Sequence, residues 1–135
     1  LLVESGEINL NLDLHFSQNK SRYHIDFKSG FSSNEKGNTN RLLLVASVYQ
    51  LISASENLII FVRQQEKDNN HYLQTLKQSK KWQIYCANDV YDKIHEFTGF
   101  NLKKWINDNM SWEEDISLPF KDYLAKHSLL KYLTW

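Results

Sequence analysis

Between Ile8 and Phe16 every second residue is apolar: Ile8, Leu10, Leu12, Leu14 and Phe16. Asn9, Asn11, Asp13 and His15 fall on the opposite face of the β-strand this period predicts. The alternation returns from Tyr23 to Lys28, with Tyr23, Ile25 and Phe27 on one side and His24, Asp26 and Lys28 on the other. The polar stretch Ser17–Ser21 joins the two, which predicts an antiparallel hairpin. Pairing centred on Asn19-Lys20 sets Asp13 opposite Asp26 and His15 opposite His24, all on one face. Farther on, Leu58-Ile59-Ile60-Phe61-Val62 is a continuous apolar run, as in a strand covered on both faces.

Other elements follow from turn and cap signals. A polar segment, Ser29 to Arg41, leads into a helix over Leu42–Ile52 capped by Asn38 or Thr39. A short helix is expected over Asn69–Gln78 and a strand over Trp82–Cys86. Asp89 then caps a helix that runs to Phe97 and closes at Gly99. Helices over Leu102–Asn109 and from Ser117 to about Tyr132 complete the chain, the last with Pro119 in its first turn. The order predicts an α/β fold with a mixed sheet flanked by helices, in a single domain spanning residues 1–135.

Two facing carboxylates repel, so Asp13 opposite Asp26 stabilises nothing unless a cation lies between them. Mg²⁺ typically takes one or two carboxylates and leaves its other positions to water and phosphate oxygens. An exposed hairpin with a solvated polar face would show the same alternation.

Asp13, followed by Asp26-Phe27-Lys28 on the next strand and then a helix, resembles the PD-(D/E)xK nuclease superfamily. Type II restriction endonucleases and RecB-type nucleases belong to it. The resemblance implies a restriction-endonuclease-like fold and a Mg²⁺-dependent endodeoxyribonuclease acting on double-stranded DNA. By position, Asp13 and Asp26 would be metal ligands and Lys28 would orient or activate the attacking water. In that superfamily a helix and a strand ordinarily precede the hairpin. Their absence makes the chain either a minimal fold or the C-terminal part of a longer one. The Gln-x-x-x-Tyr signature of RecB-type helices is missing, which favours the restriction type over the repair nuclease. A catalytically inactive DNA- or protein-binding module of the same fold is the alternative from another class.

Lys36, Asn38, Asn40 and Arg41, in the polar segment after Lys28, are candidate DNA contacts; an ordinary connection is the competing reading. His15 and His24 flank the site, as phosphate contacts or as incidental strand residues. The aromatic C-terminal third (Phe100, Trp105, Trp112, Phe120, Tyr123, Tyr132 and Trp135) is expected to pack a core, with a partner or base-stacking surface as the alternative.

Composition narrows the field only slightly. Sixteen basic and sixteen acidic side chains balance, so any affinity for nucleic acid must come from local placement of Lys and Arg. One cysteine, Cys86, excludes an internal disulfide and, with scattered histidines, a zinc site. It fits a reducing, cytoplasmic setting. No apolar run reaches membrane-spanning length. Symmetric cutting of both DNA strands would favour a homodimer.

Overall fold

The computed structural model describes residues 10–53 and 55–133, without the side chains of residues 112, 113 and 132. It is an α/β fold built on a four-stranded mixed sheet, in the order β1-β2-β3-β4. The strands are β1 (Leu14–Gln18), β2 (Ser21–Lys28), β3 (Glu56–Val62) and β4 (Gln83–Cys86), with α1 (Lys36–Ile52) and α2 (His71–Gln78) between them. Strand β2 pairs antiparallel with β1 and parallel with β3, and β3 pairs parallel with β4. The chain divides into two compact units, residues 1–90 and 91–135.

The hairpin has the expected register, with His15 opposite His24 and Leu14 opposite Ile25. Asn19 and Lys20 both take positive φ, 51° and 66°. A two-residue turn with both central residues left-handed matches the twist of the flanking strands. Strand β1 differs from expectation at both ends: it runs on to Gln18, and residues 10–13 lie outside it. Ile8 and Asn9 are outside the described residues.

Helix α1 starts at Lys36, six residues before the expected Leu42. Neither Asn38 nor Thr39 caps it; Glu35 stands at the N-cap, and its carbonyl accepts the Thr39 N–H at 2.8 Å. Asn38 Nδ2 donates to Glu35 Oε2 at 2.8 Å. Thr39 is 2% exposed, so tertiary burial overrides the turn preference of Asn38-Thr39-Asn40.

Leu42, Val45 and Ala46 of α1 pack with Leu73 and Leu76 of α2 onto Leu58, Ile60 and Val62, which share one face of β3 by alternation. Full burial of each Leu or Val contributes roughly 1.5–3 kcal/mol, as an upper estimate. Trp82 closes this layer, its indole Nε1 donating to the Leu42 carbonyl at 3.2 Å. On the other face Ile25, Ile59 and Phe61 are buried as well, so β3 is covered on both sides as its unbroken apolar run predicts. The rings of Phe27, Phe61 and Tyr85 line up across β2, β3 and β4 on that face, with centroids 5.6 and 5.9 Å apart.

After β4 comes α3 (Asn88–Thr98), with Asp89 in its first turn and Gly99 beyond its end at φ 71°. The second unit holds α4 (Leu102–Asn109), α5 (Trp112–Asp115) and α6 (Leu118–Lys126). Asn101 caps α4, its side chain accepting the Lys104 N–H at 2.9 Å. Helix α6 stops at Lys126, short of the expected Tyr132, because Ser128 turns left-handed at φ 57°. The expectation of an aromatic core here is overturned for four residues: Phe100, Trp105, Phe120 and Tyr123 are each about half exposed. Trp135 is outside the described residues.

Candidate active site

The parallel pairing decides where the polar face of β2 points. His24, Asp26 and Lys28 stand opposite Leu58, Ile60 and Val62, so all three face α1 rather than open solvent. A two-residue period cannot reveal this, because it fixes alternation and not what covers each side.

Asp26 is 3% exposed. Lys28 Nζ lies 2.6 Å from its Oδ2, and Arg41 of α1 approaches Oδ1 at 3.9 Å. Asp26 Oδ2 is buried without a directed hydrogen bond, so its contact with Lys28 is ionic. Arg41 also donates to the Asn11 carbonyl at 3.5 Å and through Nε to Asn38 Oδ1 at 3.4 Å. The arginine read from sequence as a DNA contact therefore turns inward to the carboxylate. Asn38 is held by Glu35, whereas Lys36 and Asn40 are exposed on the first turns of α1.

Asp13 is exposed and precedes β1. Its Oδ2 accepts the Phe27 N–H at 2.6 Å, a side-chain bond where the ladder between β1 and β2 has ended. The β1–β2 register ends at Leu14 opposite Ile25, and the Phe27 bond holds Asp13 beside β2.

These residues fit Mg²⁺ in kind. Asp26 offers a buried hard oxygen, Oδ2, with only an ammonium for company, and the exposed Asp13 carboxylate is held at the next residue's N–H. Among the described residues no three His, Cys, Asp or Glu side chains converge, which disfavours an all-protein cage. Asp26, Lys28 and Arg41 are thus brought together, and Asp13 is held at the neighbouring Phe27 N–H.

A neighbouring cluster escaped the sequence reading. The Glu56 side chain, only 2% exposed, takes Arg22 as an ion-pair partner and receives His24 Nε2 at 2.5 Å. On its other side the His24 ring sets Nδ1 2.6 Å from His15 Nδ1, within hydrogen-bonding distance. Tyr49 of α1 covers the His24 ring, with centroids 4.3 Å apart. Burial first, and Glu56 second, push its phenol pKa upward. The only hint in the sequence was a glutamate two residues before an apolar run.

Among the described residues no helix is long and apolar enough to cross a membrane. No protein-family model, curated protein or solved structure matches this chain.

Proposed function

We propose that this chain is a Mg²⁺-dependent endodeoxyribonuclease that hydrolyses phosphodiester bonds of double-stranded DNA in the manner of restriction endonucleases. The observation that carries the reading is a buried Asp26 with Lys28 two residues on, at the end of β2, and Asp13 bonded to the N–H of Phe27 between them. Asp13 and Asp26 would hold the ion. When bound, Mg²⁺ supplies Lewis-acid activation and neutralises phosphate charge. Lys28 presents three N–H donors beside Asp26, which would orient the attacking water and steady the developing charge. Arg41 reaches Asp26 from α1, and the exposed Lys36 and Asn40 would touch the DNA backbone.

Asp26→Asn retains the shape and removes one ligand charge. Cleavage of plasmid DNA in Mg²⁺ should vanish, while circular dichroism and a cooperative melt remain. Near wild-type cleavage by this variant would sink the assignment. A second reading has its own support. Lys28 and Arg41 already neutralise Asp26, and Asp13 is committed to a backbone amide, as in a silent binding module. Absence of cleavage by the wild-type protein in both Mg²⁺ and Mn²⁺, with DNA still bound, would favour that module.

A further inference from the structure

Directly beyond Lys28 lies a cavity of about 300 Å³, at the low end of the range for small-ligand sites. Ser29, Gly30, Ser32 and Glu35 line one side, and Gln64 and Asp68 the other. The walls are pinned to each other. Pairing between β2 and β3 continues past the strand ends, with Arg63 N–H donating to the Lys28 carbonyl at 2.9 Å and Gln64 N–H to Ser29 at 3.1 Å. Phe31 N–H donates to Asn69 Oδ1 at 2.8 Å, and the Phe31 carbonyl accepts the Asn70 N–H at 2.8 Å.

Among the described residues no lysine or arginine lines this cavity; its polar side chains are carboxylates, hydroxyls and one carboxamide. Such a wall repels phosphate and accepts hydrogens from an amine. Glu35 already receives Asn38 Nδ2. Among the described residues the Gln64 and Asp68 side chains have no bonding partner, which leaves both for a ligand. Adenine N6 and cytosine N4 are amino donors, whereas thymine offers an acceptor and a methyl group in their place. A carboxamide is also the group that pairs with adenine N6 and N7.

We infer that this cavity is a base subsite, resting on the nuclease reading above, that takes an adenine or cytosine of the substrate strand through its exocyclic amino group. Gln64 and Asp68 are the recognising side chains. Gly30 makes the seat: a Cβ there would stand 1.8 Å from Gln64 Oε1 and 2.3 Å from its Cδ. The clash is with the end of a flexible side chain, so Gly30→Ala should fold and yet displace the carboxamide.

The test titrates the full chain with nucleosides and follows backbone amide shifts by NMR. Adenosine and cytidine should shift the amides of Gly30, Gln64 and Asp68, and thymidine should leave them in place. Gln64→Ala, Asp68→Ala and Gly30→Ala should each weaken adenosine binding about fivefold or more, the scale of one net hydrogen bond. No response to any nucleoside, or an equal response to thymidine, overturns the inference. So does an equal response to methylammonium, which would make the cavity a simple cation subsite. Nucleoside binding by a protein that cuts no DNA would defeat the nuclease reading and leave the base subsite standing.

Discussion

At the scale of single residues, Lys28 is the most informative side chain, because it touches the one buried carboxylate that the proposed ion needs. Replacing it with Met retains the stem and removes the donor. Turnover should fall about 10²–10³-fold, as for other losses of preorganised electrostatic stabilisation. Mg²⁺ affinity should hold or rise by calorimetry, since Nζ no longer competes for Asp26 Oδ2 at 2.6 Å. Collapse of metal affinity with activity retained would reverse the assigned roles. Cys86 yields a separate prediction. It is buried, and desolvation is the largest of the causes that push its thiol pKa upward. Little thiolate is therefore present at neutral pH, and a maleimide should label Cys86 only as fast as the sheet opens. Rapid stoichiometric labelling of the folded protein would contradict that placement.

At the scale of elements, the turn of the β1–β2 hairpin is testable without reference to function. Lys20 holds φ 66° with a full side chain, where glycine is at ease. Lys20→Gly should raise stability by up to about 1 kcal/mol, the order of the penalty for a left-handed residue, read from the denaturant midpoint. A loss of stability would mean that the Lys20 side chain makes contacts worth more than its strain. The same hairpin explains what was legible. Register followed from alternation and a polar turn, so the pairing of His15 with His24 was readable from one sequence. The start of α1 was not, because Asn38, Thr39 and Asn40 are turn formers drawn into helix by the burial of Thr39 among them. Nor were Arg41 as partner to Asp26 and Glu56 as partner to Arg22 and His24, since those contacts join residues far apart in the chain. Local pattern specifies which side of a strand a residue takes; which helix closes over that side is a tertiary fact.

At the scale of the whole molecule, the endonuclease reading predicts a dependence on DNA topology. A covalently closed plasmid containing the preferred site should become discrete linear fragments in Mg²⁺, since no free end is required. Progressive loss of linear DNA with the closed circle spared would transfer the assignment to a RecB-type repair nuclease. The sheet carries one further consequence. Hairpin contacts join residues as close as Gln18 and Ser21, whereas the parallel ladder must bring Arg22 to Glu56 across the whole of α1. Local hairpins close in about 1–10 μs, and non-local parallel pairing is slower. Asp13, Asp26 and Lys28 all lie in or beside the fast, local part, while the helix that roofs Asp26 and delivers Arg41 is secured only by the slow crossover. Assembly therefore pairs Asp26 with Lys28 before Arg41 arrives. Partial unfolding, taken in reverse, should unroof the acid before it scatters the trio.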